Sequence, residues 1–482
     1  MFWRGVLGYL PVNIVQALAG FGTIIVFTRL LTPAQYGDYA LGFSVASLAS
    51  TCLFTWIEAA MARFYAAEQG DEARKSLFAT LYGAFATMAV LAPLITAIVL
   101  MSLNVSPGLK LAIGAGLAST VVRSLLRMAQ ERRRAAGQVA GFAVFDMAQT
   151  GGAFLIGIVL ILVGLGGAAP LAGAGAASAL CLIYALPGEL RTAASGRFDK
   201  ARLRRYAAYG LPVTLSLVMS LAIATTDRFV IAAVMGEGAV GAYHAGYSLA
   251  NRTLDVMFIW LGMAGGPAAI AAFERGGEAE LKRVAAAQSA FMVALALPAA
   301  AGLALVAKPL AQVMVGPSLS KEAAAVTVWI AASAVFSGLT TYYFHSAFTL
   351  SRRTTRLLAA MAIPALLNLA LVLTLVPRFG LPGAMWATTA AYFIGMCTSI
   401  ILGRTCIALP IPWGTLARAG AATVLMGLAV SRVPAIGGIV ELGAKSLIGA
   451  LVYGGVSLAM NTGGLRLQLG RLIRRERLEF GL

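Results

Sequence analysis

The residues most able to do chemistry are ionisable groups embedded in long apolar runs. Arg123 and Arg127 stand four apart, a spacing that puts both guanidinium groups on one face of a helix. Arg127 has Glu131 four positions on, whereas Arg123 has no acid three or four positions away. A surplus guanidinium facing a cleft suits an anionic, phosphate-bearing cargo, because its planar fork meets phosphate oxygens with two hydrogen bonds. The competing reading is a salt bridge across helices, to Glu58 or Asp146. Those two carboxylates have no basic residue three or four positions away, so each is either a proton-coupling group or the partner of an arginine, and the partner role is the expected one. Arg252 and Asp255, three apart, and Glu441 and Lys445, four apart, are spaced for intrahelical ion pairs, with Arg252 also a candidate for the cargo. Arg29 and the adjacent Asp227-Arg228 fall near helix ends, where long side chains reach the interface as anchors. His244 and His345 lie toward opposite membrane faces and are expected to pack rather than to form a relay. Asn13, Gln16 and Asn368 are expected to hydrogen-bond between helices.

The elements that position these groups follow from composition. The chain has 482 residues, 60% hydrophobic and 12% charged, against roughly 45–50% and 25% in soluble proteins. It reads as an all-α polytopic membrane protein. Apolar runs bounded by charge or by Gly and Pro place fourteen helices near 6–28, 39–62, 77–101, 109–130, 140–164, 169–190, 208–233, 242–267, 284–307, 323–348, 355–376, 382–404, 415–433 and 436–460. At about 20 residues per crossing, these leave a dozen or so residues per connection, too few for a soluble catalytic domain. There is no G-x-x-x-x-G-K-[ST] phosphate loop, so transport powered by this chain's own ATP hydrolysis is not expected. The four cysteines, Cys52, Cys181, Cys397 and Cys406, have neither disulfide nor zinc spacing. The first run passes through Ala17-Leu18-Ala19 without stopping, so it reads as a spanning helix rather than a cleaved leader.

The net charge of +18 comes from 37 basic and 19 acidic residues. Its scatter in short Arg-rich clusters between apolar runs speaks for anionic lipid, not nucleic acid. With the N-terminus inside, 26 basic residues fall on the cytoplasmic side and five on the other, which places both termini in the cytoplasm.

Internal similarity divides the chain further. Gly37-Asp38-Tyr39-Ala40-Leu41-Gly42-Phe43-Ser44 and Gly241-Ala242-Tyr243-His244-Ala245-Gly246-Tyr247-Ser248 share one pattern 204 residues apart. Asp71–Lys75 with Glu278–Arg283, Pro93 with Pro298, and Arg132-Arg133 with Arg352-Arg353 follow in the same order. The expected organisation is a six-helix bundle over 1–190, a basic cytoplasmic linker over 191–207, a second bundle over 208–404, an extra helix pair over 405–460 and a basic tail over 461–482. Six helices per half make the repeats parallel, suited to rocking about a central cleft. Pro93, Pro298 and Pro364 are candidate hinges.

The run Thr28 to Leu41 (TRLLTPAQYGDYAL) resembles the signature after the first helix of the polysaccharide-transporter (Wzx-type) branch of the multidrug/oligosaccharidyl-lipid/polysaccharide exporter superfamily, and Thr226 to Ile231, Gly241 to Tyr247 and Pro377 to Ala384 are similar to further pieces of it. The resemblance implies a non-enzymatic flippase that moves undecaprenyl-diphosphate-linked oligosaccharide from the inner to the outer leaflet of a bacterial cytoplasmic membrane. It implies a cationic cleft, for which Arg123, Arg127, Arg252 and Arg29 are the candidates, with Glu58, Asp146 and Asp255 as coupling groups or charge partners. Coupling to protons, to sodium or to neither stays open, and no cofactor or metal is implied. The cargo and membrane lipid are the partners, with a polysaccharide polymerase and glycosyltransferases of the same pathway as candidates. Lipid II flippases share the extra helix pair but usually follow helix 1 with a Gly-then-Asp-Phe pattern where Pro33-Ala34-Gln35-Tyr36-Gly37 stands here, and drug exporters usually have twelve helices. From other classes, a membrane-embedded polymerase or ligase would need a sizeable outer loop, and a scaffold would be indifferent to its interior charges.

Overall fold

The computed structural model describes residues 2–68, 70–102 and 104–466, with no side chains for 2–10 and 354. Arg4 as a side chain and the basic tail from 467 on, with Arg471, Arg474, Arg475 and Arg477, lie outside the described residues. Among the described residues there is no strand. Among the described residues thirteen helices are long and apolar enough to cross a membrane. One of them, Glu237–Leu305, runs 69 residues and breaks at Gly277, whose φ of 63° only glycine adopts freely. Its two arms are each long enough to span a bilayer at about 1.5 Å per residue, so fourteen helical segments among the described residues have spanning length, helices 8 and 9 lying on either side of Gly277.

Local signals explain where helices start. Pro33 opens helix 2 (Pro33–Phe64) behind a reciprocal cap, in which Gln35 N–H donates to Thr32 Oγ1 at 3.3 Å and Thr32 N–H to Gln35 Oε1 at 3.1 Å. Ser106 caps helix 4 (Pro107–Ala135) by accepting from Leu109 N–H at 3.3 Å. Asp199 caps helix 7 (Lys200–Met235), accepting from the amides of Ala201 and Arg202. Helix 6 (Ala169–Ala194) likewise runs past its expected end. The stretch read as a linker over 191–207 is therefore helical except at 195–199. The reason is charge pairing: Glu68 receives Arg202 at 3.0 Å and Arg205 at 2.8 Å, which lets a basic run stay helical.

The chain forms two compact units, Met1–Gly241 and Ala242–Leu482. In the first, helices 2 and 4 run side by side along one seam in a constant register. A Cβ on Gly116 would stand 2.9 Å from Gly42 O, Thr120 Oγ1 donates to Ala46 O at 3.3 Å, and Ser50 and Ser124 share a 3.0 Å hydrogen bond. Small residues allow this approach, and the hydroxyl bonds hold it, as is usual where lipid supplies no hydrophobic drive between helices. Helix 7 joins helix 2 in the same way, with Gly210 against Trp56 O. In the second unit helix 8 meets helix 10 (Pro317–Leu339 and its continuation) through Gly246 against Ala323, and Thr327 donates to Gly246 O at 3.3 Å.

Helices 1 and 10 each contain a π-helical turn, Thr23–Phe27 and Thr340–Phe344.

Candidate functional site

The seam of helices 2 and 4 changes character along its length, from glycine and alanine through paired hydroxyls to charge. One turn beyond Ser50 and Ser124, Arg127 donates to both hydroxyls and lies 3.6 Å from the Glu58 carboxylate. Glu58 is nearly enclosed, its side chain 11% exposed, whereas that of Arg127 is 42% exposed. Glu131 makes its ion pair with Arg134 at 2.8 Å, nearer the helix end, and attracts Arg127 only at longer range. Arg123, half-buried one turn back, makes no hydrogen bond or ion pair among the described residues, and its Nε is buried without a partner. Arg127 repels it and Glu58 attracts it across the seam. Two guanidinium groups thus stand over one carboxylate, and one positive charge is left over at membrane depth. Such a charge costs ~2.5–3.5 kcal/mol to insert and is usually retained for a task. It can hold a phosphate group with forked, charge-assisted hydrogen bonds.

The other candidates are placed differently. Asp146 on helix 5 (Val139–Leu162) accepts from Gln16 of helix 1 at 2.8 Å, so its partner is an amide and not an arginine. Arg29 is exposed and donates to Ile25 O at 2.8 Å. Arg252 and Asp255 belong to the second unit and do not form the expected ion pair: Arg252 is exposed, while Asp255 is half-buried within the electrostatic reach of Tyr342, which stacks on Phe258. Glu441 and Lys445 do pair, at 2.6 Å. Asp227 and Arg228 are not interfacial anchors. They are 0% and 4% exposed, and Arg228 donates to Ser44 at 3.0 Å, so helix packing rather than snorkelling accounts for them. His244 is buried beside Ser248, as a packing residue would be. Asn368 is fully buried, yet among the described residues neither amide atom has the hydrogen-bond partner expected between helices.

Sequence reading missed a second charged cluster. Glu189 near the end of helix 6, 2% exposed, takes a 2.5 Å salt bridge from Arg132 and a 3.3 Å hydrogen bond from Tyr82, while Arg133 stacks 4.5 Å over Phe145. The available signal was an acid at the very end of an apolar run, with basic clusters in the neighbouring connections. This cluster clamps helices 3 (Asp71–Ser102), 4 and 6 together: Arg132 offsets Glu189, and the second guanidinium, Arg133, rests on the ring of Phe145.

Comparison with known proteins agrees with this architecture. A solved structure described as lipid II flippase MurJ in an inward closed conformation matches with a TM-score of 0.74 at 13% identity, covering 95% of this chain and 99% of that one. An inward-facing multidrug resistance MATE family transporter of the MOP superfamily matches with a TM-score of 0.58 at 16% identity over 82% of this chain and 94% of its own. A MOP superfamily transporter from Pyrococcus furiosus, described as having a binding pocket of reverse polarity, gives 0.57 at 16% over 83% and 94%. At such identities the likeness is one of fold. No curated protein sequence matches the chain. Residues 26–323 match the polysaccharide biosynthesis protein family, a stretch that takes in helices 2 to 9 and the Arg123–Arg127–Glu58 site. With that match over more than half its length and a fold shared with exporters of the MOP superfamily, the chain belongs to the polysaccharide biosynthesis protein family.

Proposed function

We propose that the protein is a flippase carrying undecaprenyl-diphosphate-linked oligosaccharide from the inner to the outer leaflet of a bacterial cytoplasmic membrane, for surface polysaccharide biosynthesis. The observation that carries this reading is the uncompensated guanidinium of Arg123 beside the Arg127–Glu58 pair. A diphosphate brings negative charge to where one positive charge is in excess, and the lipid tail can stay in the bilayer while the headgroup crosses. The family and the fold support transport rather than catalysis. Alternating access by parallel halves, 1–190 and 208–404, is supported by the matching close approaches of Gly42 to helix 4 and Gly246 to helix 10, 204 residues apart. The basic excess on the inner connections supports cytoplasmic termini. Polymerase and glycosyltransferases of the same pathway are the natural partners, supplying and consuming the cargo.

The test is a leaflet-accessibility assay in liposomes without ATP. Flipping of a polyprenyl-diphosphate oligosaccharide above the protein-free rate is the expected result, and equal rates with folded protein would overturn the proposal. A second reading, lipid II as cargo, is favoured by the span of the structural match. Competition between the two lipids in the same assay separates them.

A further inference from the structure

The stretch between helices 6 and 7 is crowded with positive charge, and only part of it is neutralised. Glu68 takes Arg202 and Arg205, and Asp199 meets Arg202 again at 3.4 Å while capping helix 7. Arg197, Lys200 and Arg204 are exposed, and among the described residues no acid pairs with their side chains. The backbone that carries them is held in place, all of it within the unit Met1–Gly241. A Cβ on Gly196 would stand 2.0 Å from Lys75 O, Ser76 Oγ donates to Arg197 O at 3.0 Å, and the Asp199 amide donates to Thr80 Oγ1 at 3.1 Å. Phe198, 55% exposed, lies along helix 3 inside its apolar run, where a Cβ on Gly83 would stand 3.0 Å from the ring. The three cations thus stand on a fixed connection where the basic stretch gives way to the apolar part of helix 7, the level of lipid headgroups.

The row that follows them on helix 7 completes the pattern. Lys200, Arg204, Ala208, Leu211 and Leu215 succeed one another at steps of three or four, which keeps them on one helical face, and all five are exposed. Charge comes first and apolar surface after it, with Leu211 52% and Leu215 45% exposed. A free phosphate would use the cations alone, whereas a lipid with an anionic head matches both ends of the row. We propose that Arg197, Lys200 and Arg204 hold the headgroup of an anionic phospholipid of the cytoplasmic leaflet, its chains lying along Ala208, Leu211 and Leu215. The leaflet follows from the orientation given by the basic connections, and the site stands apart from the flippase reading.

A fluorophore on Ala208→Cys, with Cys52, Cys181, Cys397 and Cys406 replaced by alanine, reports which lipid occupies this face. In vesicles mixing phosphatidylglycerol with phosphatidylcholine, bromine on the chains of one or the other quenches the label on contact. Each cation near a headgroup is worth roughly a fivefold preference, so phosphatidylglycerol should be favoured by about tenfold or more. Arg197→Gln, Lys200→Gln and Arg204→Gln together should bring the two lipids near parity, while the same change at the exposed Arg353, Arg404 and Arg418 should leave the preference intact. Preference retained in the first triple variant overturns the proposal, and so does equal loss in the second, which would show general charge attraction only. Displacement of phosphatidylglycerol from the label by an equal mole fraction of polyprenyl-diphosphate lipid would assign the face to the cargo, and loss of the preference to inorganic phosphate at constant ionic strength would assign it to a free anion. Either result overturns the proposal. If the triple variant does not fold, Lys200→Gln with Arg204→Gln decides, since the preference must fall severalfold in that folded protein.

Discussion

Replacing Arg123 by alanine separates a cargo site from a structural one, because its surroundings set the two costs far apart. The side chain has no hydrogen bond or ion pair among the described residues to lose. Its stability cost is bounded by the alkyl stem, about 1.6 kcal/mol for the two methylenes lost, offset by relief of a desolvated cation next to Arg127. Folded yield should therefore hold, with net destabilisation within about 1 kcal/mol. A forked bond to phosphate built from charge-assisted hydrogen bonds is worth about 3 kcal/mol, so affinity for a polyprenyl-diphosphate lipid should drop on the order of a hundredfold. Arg123→Lys keeps the charge without the fork and should recover about half of that free energy. Arg127→Ala should behave in the opposite way. It strands Glu58, and although a fully buried pair costs ~3–5 kcal/mol to break, the 3.6 Å separation and 42% exposure of Arg127 reduce this to about 2 kcal/mol. Glu58→Gln should restore it. Thermal unfolding and monodisperse yield measure stability, and titration with diphosphate against monophosphate lipid measures the site. Normal affinity and normal flipping in well-folded Arg123→Ala would refute the assignment.

Three further outcomes follow from the packing. Glu189→Ala should destabilise by ~3 kcal/mol, seen as lost folded protein, because it leaves the half-buried Arg132 without its carboxylate, and adding Arg132→Met should recover much of it. Asp146→Asn still offers an oxygen to Gln16 and should leave both stability and flipping unchanged, whereas selective loss of flipping would mark Asp146 as a proton carrier after all. Gly210→Val would press a side chain into Trp56 O, 2.4 Å from where its Cβ must go, and should cost ~1–3 kcal/mol in thermal unfolding.

The number of crossings was legible because fourteen apolar runs have charged or glycine-rich borders, and the excess of Arg123 was legible because no acid stands at helical spacing from it. Boundaries were less so. The basic run before helix 7 looks like a loop until Glu68, more than 130 residues earlier, is seen to neutralise it. Rotation about each helix axis was not legible at all. The register of Gly42, Ala46 and Ser50 on Gly116, Thr120 and Ser124 fixes which faces meet, and only that register reveals that Glu58 serves Arg127. The Arg252–Asp255 pair failed for the same reason, since spacing does not say how each side chain is turned: Arg252 is exposed while Asp255 is half-buried.

The π-helical turn of helix 1 bears on how this helix tolerates changes in length. Each residue turns an α-helix by about 100°, and the extra one held in Thr23–Phe27 shifts the phase of everything before it relative to everything after it. Gln16 meets Asp146 on one side of the turn, while Phe27 stacks on Phe154, 5.8 Å away, on the other. Both contacts reach the same helix 5, and the turn takes up its extra residue between them. Deleting one residue between 23 and 27 should let the turn relax to ordinary α-helix with the stretches on either side still facing as they do, whereas a deletion between Gln16 and the turn would swing one of these contacts about 100° out of place. The turn therefore acts as a store of one residue, and a relative one residue shorter here can keep both neighbours.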